Sequence, residues 1–309
     1  MASTVKFHVF TDCDLDGAGS YLVYKWFNNV KSTYTTCRVN DLKNTYKNWA
    51  LKNNINDFDT VYFFDLDVAQ DDELVSLIDR DNVVIVDHHK SHIDRAHVYK
   101  NATTHIQEYT STTRLLYKLF TEQFPDANLS DAQKLLILMV DDYDSYKLVI
   151  PNSYEMNILF WSLTGDRLNK FINDFKTGFT GFNEQHNNMI SFYLKKLENI
   201  KKDLNVHIAN IPIKGSTYKI VVAFAESCIN DIADHIIKNY KSDIGMVVNI
   251  KTNKVSLRKD QSCEIDLSKL SKTLFDSGGG HEFAAGGILC DKFLEFAKLF
   301  QPLELKIGT

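Results

Sequence analysis

A run of four β-branched residues that ends in an acid and two histidines is the feature that most constrains the fold of this chain. The run covers residues 83–86, and Asp87, His88 and His89 follow it directly. Such a run predicts a short strand that is buried on both faces. Ligands of an open α/β sheet lie beyond the carboxyl ends of its strands, and a carboxylate with two imidazoles can bind a divalent cation. A surface turn that happens to carry two histidines is the alternative interpretation.

Two further predicted strands, residues 5–10 and 61–64, also end in aspartates. Strands and helices alternate through this half of the chain with short connections, which predicts a doubly wound parallel sheet. The carboxyl ends of parallel strands share one edge, so we expect their acids and histidines to converge there. The aspartates are Asp12, Asp14 and Asp16 after the first strand and Asp65 after the second.

The segment that begins at Asp12 also resembles the start of an EF-hand calcium loop. Gly17 occupies loop position 6, but loop position 12, which should be a glutamate, is Val23. A predicted strand precedes the segment, whereas a helix precedes an EF-hand loop. The calcium-loop interpretation is therefore the weaker one. We expect the glycines to let the backbone turn tightly beside a ligand, and a helix to begin at about Tyr21.

Another group of acids follows a predicted helix over residues 131–140. Ser130 and Gln133 predict a capping box at the start of this helix. Acids at a helix C-terminus oppose the macrodipole, which indicates that a cation lies nearby, and a solvated helix end is the alternative. The acids are Asp141, Asp142 and Asp144.

The second half of the chain predicts a smaller α/β unit. A long helix over residues 183–204 connects a first domain, residues 1–182, to a second domain, residues 205–309. A chain of 309 residues is long enough for two domains. Strands are expected at residues 206–209, 218–224, 244–250 and 254–257, and helices at residues 232–240, 267–275 and 292–300.

A glycine-rich segment in the second half predicts an anion site. Residues 278–280 are glycines and precede His281 at a predicted helix start, where backbone N–H groups and the positive helix end would bind an anion. Arg258, at a predicted strand end, could bring a fork of donors to a phosphate. A flexible loop and an ordinary exposed arginine are the alternatives.

Composition narrows the compartment and the partners. Five cysteines are scattered without a CxxC pair, which argues for a reducing, cytoplasmic location and against a disulfide framework or a zinc ribbon. No apolar run approaches the roughly 18 residues that span a bilayer, so no membrane partner is expected. The net charge of -5 argues against a protein that coats DNA, although clustered metal-binding aspartates are compatible with a nuclease.

Together these stretches resemble the DHH phosphoesterase family, of the RecJ-like and nanoRNase type with a DHH-associated C-terminal domain. Many nanoRNases carry a histidine where this chain has Phe10, whereas the additional acid Asp12 is similar to RecJ-type exonucleases. The resemblance implies two divalent cations, Mn²⁺ or alternatively Mg²⁺, at the edge of an N-terminal doubly wound parallel sheet. It also implies a smaller C-terminal α/β domain and a substrate cleft between the two domains.

The resemblance implies roles for individual residues. The expected metal ligands are Asp12, Asp14, Asp16, Asp65 as the bridging acid, His88, and Asp144 in preference to Asp141. The expected catalytic residues are Asp87, within the metal site, and His89, beside the scissile phosphate. The expected substrate-binding residues are Arg258, Gly279, Gly280 and His281.

The resemblance, together with the length and charge of the chain, implies a manganese-dependent phosphodiesterase that hydrolyses short single-stranded RNA or DNA to 5′-mononucleotides. We expect no further nucleic-acid module in a chain of this length, and its acidity disfavours binding of long strands. One alternative is a phosphodiesterase or phosphatase for cyclic or linear dinucleotides or pAp. Another is a catalytically inactive nucleotide-binding protein. A monomer and a homodimer are both compatible with the sequence.

Overall fold

The computed structural model of the protein describes residues 6–28, 30–213, 215–275, 277–280 and 282–289. The chain divides into two units, Met1–Ser191 and Phe192–Thr309. The border between the units falls within a long helix, Glu184–Lys202. The domain limits expected from the sequence stay a prediction.

Strands and helices alternate through most of the first unit. Four short 3₁₀ turns at Val39–Asp41, Ile55–Asp57, Val68–Gln70 and Ala96–Val98 lie in its connections. The elements are β1 (Phe7–Asp12), α1 (Leu15–Phe27), β2 (Ser32–Cys37), α2 (Leu42–Ala50), β3 (Thr60–Phe64), α3 (Asp72–Ile78), β4 (Val83–Asp87), α4 (Lys90–Ile93), β5 (Thr103–Ile106), α5 (Thr112–Gln123), α6 (Asp131–Asp144), α7 (Ser153–Ser162) and α8 (Arg167–Phe175).

The sheet of the first unit has five parallel strands in the order β2-β1-β3-β4-β5. Its central strands carry fully buried side chains such as Phe10, Phe63 and Ile85, and the rings of Phe10 and Phe63 stack with centroids 4.8 Å apart. Burial of this kind contributes roughly 1.5–3 kcal/mol for each large apolar side chain. The order places the ends of β1, β3 and β4 side by side, as the site requires.

Helix α1 begins earlier than the sequence pattern predicts. The expected start was about Tyr21, but the helix starts at Leu15, because Asp14 caps it by accepting a hydrogen bond from the Gly17 amide at 2.9 Å. Gly17 therefore lies in the first helical turn and not in a loop. A Cβ atom there would lie 2.3 Å from the carbonyl oxygen of Asp12, so the missing side chain lets α1 pack against the end of β1.

Helix α6 extends through the second group of acids. The predicted capping box is present, with the Ser130 hydroxyl accepting from the Gln133 amide and the Gln133 side chain accepting from the Ser130 amide. The helix was expected to end at Val140, but it continues to Asp144, so the acids occupy its last turn. The sequence analysis also missed β5, a four-residue edge strand that is too short for a clear alternating pattern.

The second unit contains a six-stranded mixed sheet in the order β10-β11-β9-β8-β7-β6. The parallel sheet of the first unit and this second α/β unit confirm the predicted fold class. The elements that follow the long helix, α9 (Glu184–Lys202), are β6 (Val206–Ile213), β7 (Ser216–Phe224), α10 (Ile229–Tyr240), β8 (Ile244–Asn249), β9 (Lys254–Lys259), α11 (Leu267–Leu274), β10 (Gly279–Gly280) and β11 (Ala284–Ile288).

The glycine-rich segment forms part of a sheet, and the predicted helix start is wrong. Gly279 and Gly280 pair antiparallel with Gly286 and Ala285. Gly280 has φ +131°, and a Cβ atom there would lie 2.5 Å from the carbonyl oxygen of Ala284. Backbone pairing at this close distance, rather than a helix N-terminus, explains the glycine at position 280.

The predicted helix at residues 292–300 lies outside the described residues. Among the helices that the structure does describe, none combines the length and the apolar composition needed to cross a bilayer.

Candidate metal centre

The topology of the parallel sheet brings three sequence-predicted residues to one edge. Asp12 is the last residue of β1, Asp65 follows β3, and Asp87 is the last residue of β4. Because β1, β3 and β4 are adjacent and parallel, these acids meet at their carboxyl ends. This is the edge where α/β sheets bind ligands.

Asp16 is held at this edge by the start of another helix. It is only 1% exposed, and its two carboxylate oxygens accept hydrogen bonds from the amides of Thr112 at 2.7 Å and Thr113 at 2.9 Å. Thr112 is the first residue of α5, so the positive end of that helix stabilises the buried acid. Sequence reasoning missed Thr112 and Thr113. A helix that starts at Thr112 is predicted by apolar spacing, but that pattern does not indicate that its first amides bind Asp16.

Asp65 points into the site from a left-handed backbone conformation. Its φ is 58°, its amide donates to the carbonyl oxygen of Val86 at 3.0 Å, and its side chain is buried. The Thr112 hydroxyl donates to Asp65 Oδ1 at 3.1 Å. Left-handed non-glycine residues are uncommon, although aspartate and asparagine tolerate the conformation better than most residues. The strained conformation therefore serves to direct this carboxylate inward.

His88 faces three acids through its ring nitrogen Nε2. The hydrogen bond that Nδ1 makes determines whether Nε2 carries a proton. Nδ1 lies 3.2 Å from the carbonyl oxygen of Tyr109, to which it can only donate, so neutral His88 has its lone pair on Nε2. Nε2 lies 3.4 Å from Asp144 Oδ2, 3.6 Å from Asp65 Oδ1 and 3.8 Å from Asp16 Oδ2. A backbone carbonyl that orients a histidine in this way is a common outer partner of metal-binding histidines.

Two groups of three side chains have the donor spacing that a metal ion needs. Within each group, the candidate ligand atoms all lie within 4.8 Å of one another. His88 belongs to both groups, which makes them neighbours. The groups are Asp16, His88 and Asp144, and Asp65, His88 and His89.

The three acids at the end of α6 have different environments. Asp144 faces His88, whereas Asp141 Oδ1 accepts hydrogen bonds from the hydroxyls of Thr110 and Ser111. Asp142 is buried and accepts from the amides of Val149 at 3.0 Å and Ile150 at 3.1 Å, and it also binds a serine hydroxyl. The structure thus brings Asp144 into the acid–histidine cluster, while Asp141 and Asp142 hold neighbouring loops.

Asp87 is enclosed by hydrogen-bond donors. It is fully buried, with Oδ1 2.7 Å from His89 Nδ1 and 2.8 Å from the His88 amide, and with Oδ2 2.6 Å from His92 Nδ1. Burial alone would raise the pKa of Asp87, but the charges and hydrogen bonds of His89 and His92 lower it well below its usual value. Asp87 therefore orients other side chains, a role that the sequence pattern did not distinguish from metal binding.

The acids of the cluster repel one another. Burial and the charge of Asp14 raise the pKa of Asp12 to about 7, and burial and the charge of Asp16 raise the pKa of Asp65, Asp14 and Asp144. Asp14 and Asp65 are close enough to share a hydrogen bond. Burial lowers the pKa of His89, but the charge and hydrogen bond of Asp87 outweigh this effect and raise it to about 10.

The donor set fits divalent cations. Carboxylate oxygens and a neutral imidazole nitrogen suit Mn²⁺, and carboxylates also suit Mg²⁺. Buried acids whose pKa values rise through mutual repulsion gain stability as anions when a cation lies between them. The raised pKa values belong to Asp12, Asp14, Asp65 and Asp144, and the other candidate ligands at this edge are Asp16, His88 and His89.

The predicted substrate-binding residues belong to the second unit. Arg258 is in β9, where its side chain donates to the carbonyl oxygen of Leu257 at 3.0 Å and its charge acts on Asp234. A Cβ atom at Gly279 would have no neighbour within 4 Å, whereas Gly280 is closely packed. His281 lies outside the described residues.

A parallel α/β sheet whose carboxyl edge gathers repelling acids and two histidines is suited to binding divalent cations. The model of the DHH family, N-terminal domain, matches residues 6–140, which include this edge. Residues 6–140 are therefore similar to the N-terminal domain of the DHH family, and this match supports a hydrolase that acts on phosphoester bonds. No protein with a curated description matches the chain significantly in sequence.

Solved structures share the fold at low identity. A DHH domain from a protein assigned to a family of ribosomal proteins is 13% identical with a TM-score of 0.64, covering 96% of this chain and 86% of its own. The pGpG-specific phosphodiesterase PggH from Vibrio cholerae is 13% identical with a TM-score of 0.56. The match covers 94% of this chain and 96% of PggH. RecJ in complex with Mn²⁺ from Thermus thermophilus is 12% identical with a TM-score of 0.57. The match covers 96% of this chain and 51% of RecJ.

Proposed function

We propose that this chain is a phosphodiesterase that depends on two divalent cations, preferably Mn²⁺, and hydrolyses short single-stranded oligonucleotides to 5′-mononucleotides. The observation that supports this proposal is the cluster of mutually repelling acids around His88 at the carboxyl edge of the first sheet. Its acids surround Nε2 of a histidine whose Nδ1 is committed to the Tyr109 carbonyl. RecJ, which shares the fold, is described with Mn²⁺, and this favours the same metal here.

The proposed ligands are Asp12, Asp14, Asp16, Asp65, His88 and Asp144. Asp141 is the weaker candidate, because two hydroxyls already bind its Oδ1. When bound, the cations would neutralise phosphoryl oxygens and make water more acidic. The amides of Thr112 and Thr113 fix the Asp16 carboxylate at this edge, which prepares the site before substrate binds.

His89 is the proposed contact with the scissile phosphate. Its Nδ1 is bound to Asp87 Oδ1, so Nε2 is the ring nitrogen that faces away from that acid. In the imidazolium form, Nε2 can donate a hydrogen bond to a phosphoryl oxygen, where negative charge increases during in-line attack by water. Asp87 then acts by orienting His89 and not as a metal ligand. Because water is the nucleophile, no covalent intermediate is required.

We also propose that the second unit contributes substrate contacts. Arg258 would bind a phosphate next to the scissile one, since its planar fork of donors matches phosphate oxygens. Gly279 offers backbone that a ligand can approach closely, because a Cβ atom there would have open space around it. His281 remains a proposed partner of the same phosphate.

A linear dinucleotide is the second candidate substrate class, and the extent of structural overlap favours it. PggH, described as specific for pGpG, is covered over 96% of its length, whereas RecJ is covered over only 51%. About half of RecJ therefore has no counterpart in this chain. A catalytically inactive nucleotide-binding protein is the third candidate. It is disfavoured because such a protein has no need for buried acids that repel one another.

A substrate panel tests the proposal. Purified protein with Mn²⁺ or Mg²⁺ is mixed with 5′-labelled RNA and DNA from two to about twenty-four nucleotides, with cyclic dinucleotides and with pAp. Stepwise release of mononucleotides, fastest for short strands, is the expected result. Turnover confined to dinucleotides supports the second candidate. No hydrolysis of any substrate, despite bound metal, contradicts the proposed activity.

A further inference from the structure

A third histidine, His92, follows the Asp-His-His segment. It lies behind the acid–histidine cluster and is not part of the proposed metal site. His92 is fully buried in α4, three residues after His89. Its backbone amide donates to the carbonyl oxygen of His89 at 3.0 Å, so the two histidines belong to one rigid turn. A fully buried histidine must have partners for both ring nitrogens, and these partners indicate its role.

Both ring nitrogens of His92 have short hydrogen bonds. Nδ1 lies 2.6 Å from Asp87 Oδ2, and Nε2 lies 2.7 Å from the Tyr99 hydroxyl. An ionised carboxylate only accepts hydrogen bonds, so His92 Nδ1 carries the proton and Nε2 of the neutral ring accepts from Tyr99. The same reasoning makes His89 Nδ1 the donor to Asp87 Oδ1. A chain of hydrogen bonds thus runs from Tyr99 through His92 to Asp87, which also binds His89.

A second acid keeps the His92 ring in this orientation. Asp67 is buried, and its Oδ1 lies 3.9 Å from His92 Nδ1 without a hydrogen-bond partner among the described residues. The other oxygen of Asp67 accepts from the Ser91 hydroxyl at 2.6 Å. A flipped ring, or one protonated only at Nε2, would direct a lone pair or a carbon atom toward two carboxylates. The arrangement with the Nδ1 proton between Asp87 and Asp67 is therefore strongly favoured.

We propose that His92, supported by Tyr99, is a positioning residue that fixes Asp87 and thereby the ring orientation of His89. Without His92, Asp87 Oδ2 loses its donor in a fully buried place, and the carboxylate can rotate away from His89. The ring of His89 then loses the hydrogen bond partner that fixes its orientation. This inference rests on the proposed function only for the role of His89, which is to contact the scissile phosphate. The hydrogen-bond chain itself can be observed in protein without metal or substrate.

Three substitutions separate positioning from simple packing. His92→Phe keeps a ring but removes both hydrogen bonds, His92→Asn restores a donor near the position of Nδ1, and Tyr99→Phe removes only the outer hydroxyl. His97→Asn is the matched control, because His97 is exposed on the turn that follows α4. Each variant is assayed for kcat and KM on a dinucleotide with Mn²⁺, and its hydrogen-bonded ring protons are observed by NMR without metal.

The expected result is a graded loss of kcat with little change in KM. His92→Phe should lower kcat about ten- to a hundredfold, the usual effect of an outer partner in a metal site, while His92→Asn recovers most of it and Tyr99→Phe loses only a few-fold. The downfield Nδ1 proton signal of His89 should be sharp in wild type and His92→Asn and broadened by exchange in His92→Phe. His97→Asn should match wild type in both readouts.

Three outcomes would overturn the inference. The first is a His89 Nδ1 signal that is unchanged in His92→Phe, and the second is a His92→Asn variant that is no better than His92→Phe at equal thermal stability. The third applies if His92→Phe does not fold. It is a Tyr99→Phe variant that has wild-type kcat and an unchanged His89 Nδ1 proton signal. If wild type hydrolyses no substrate, the proposed function fails, but the NMR comparison still decides whether His92 positions His89.

Discussion

The two edges of the parallel sheet use acids in opposite ways. At the amino edge, Asp79 accepts three backbone amides, those of Ala102 at 2.8 Å, Asn101 at 2.9 Å and Lys100 at 3.0 Å. Asp59 accepts the amide of Lys6 at the same edge. At the carboxyl edge, burial and the charges of neighbouring acids raise the pKa values of Asp12, Asp14, Asp65 and Asp144.

The difference separates acids that stabilise the fold from acids that serve a ligand. Burial raises the pKa of Asp79, but its three backbone hydrogen bonds outweigh this effect, and the pKa lies below its usual value. The charge of Asp79 therefore stabilises the folded state. The charge of Asp65 destabilises the folded state until a cation neutralises the cluster. An arrangement that costs stability and is built on a strained backbone is best explained by a function.

The largest expected effect comes from Asp65→Asn. Asparagine tolerates the left-handed conformation and has the same shape, so the fold should persist. Hydrolysis with Mn²⁺ should fall on the order of a thousandfold, while the melting temperature of the metal-free protein should rise because a repelling charge is removed. Activity assays and calorimetry measure the two effects. The exposed Asp126→Asn is the control, and wild-type turnover of Asp65→Asn would exclude it from the site.

A contrast between Asp144→Asn and Asp141→Asn sharpens the assignment at the end of α6. Asp144 faces His88, so its amide variant should lose on the order of a hundredfold in kcat. Asp141→Asn should retain most activity and lose about 1 kcal/mol of unfolding free energy, since it weakens hydrogen bonds from two hydroxyls. Steady-state kinetics and denaturant unfolding of both variants test this assignment. Equal losses of activity would contradict it.

Metal should stabilise the carboxyl edge selectively. A ligand that binds only the folded state adds about 2.7 kcal/mol at one hundred times its dissociation constant. We therefore expect Mn²⁺ to raise the melting temperature of wild type and of Asp79→Ala equally, and to have much less effect on Asp65→Asn. Differential scanning calorimetry with and without Mn²⁺ measures the shifts. An equal shift in Asp65→Asn would place the bound metal elsewhere.

The smallest expected effect concerns the amino edge and acid pH. The lowered pKa of Asp79 means that its contribution is fully present above the unfolded pKa of about 4 and is lost as pH falls through the lower folded value. Asp79→Ala should cost about 1–3 kcal/mol at pH 7 through three lost hydrogen bonds. The cost should shrink below pH 4, without loss of turnover at pH 7. Urea unfolding of wild type and Asp79→Ala at several pH values measures this cost. A cost that stays constant as the pH falls would contradict the link between stability and the charge of Asp79.

Sequence reasoning found the carboxyl edge because its signals are local. Residues 83–86 are apolar on both faces, and the acids follow strands directly, so strand order was the only information missing. The sequence also favoured Asp144 over Asp141, in agreement with the placement beside His88. The fold class and the similarity of residues 6–140 to the DHH N-terminal domain were predictable for the same reason.

The rest depended on contacts between distant segments. Thr112 and Thr113 reach Asp16 across 96 and 97 residues of sequence, and no local pattern announces such hydrogen bonds. Asp87 was expected to be a catalytic residue within the metal site, and only the structure reveals its hydrogen bonds to His89 and His92. The glycine run was misread because glycine permits helix starts, turns and close strand pairing alike.

Metal titration of turnover tests the central claim most directly. Wild type and Asp65→Asn are stripped of metal and titrated with Mn²⁺, while bound Mn²⁺ is measured by electron paramagnetic resonance and mononucleotide release from a labelled dinucleotide is followed. The account predicts no turnover without metal, a rise in turnover that parallels binding of about two ions in wild type, and loss of both in Asp65→Asn. Full turnover in the presence of a chelator, or equal Mn²⁺ binding and turnover in both proteins, would contradict it.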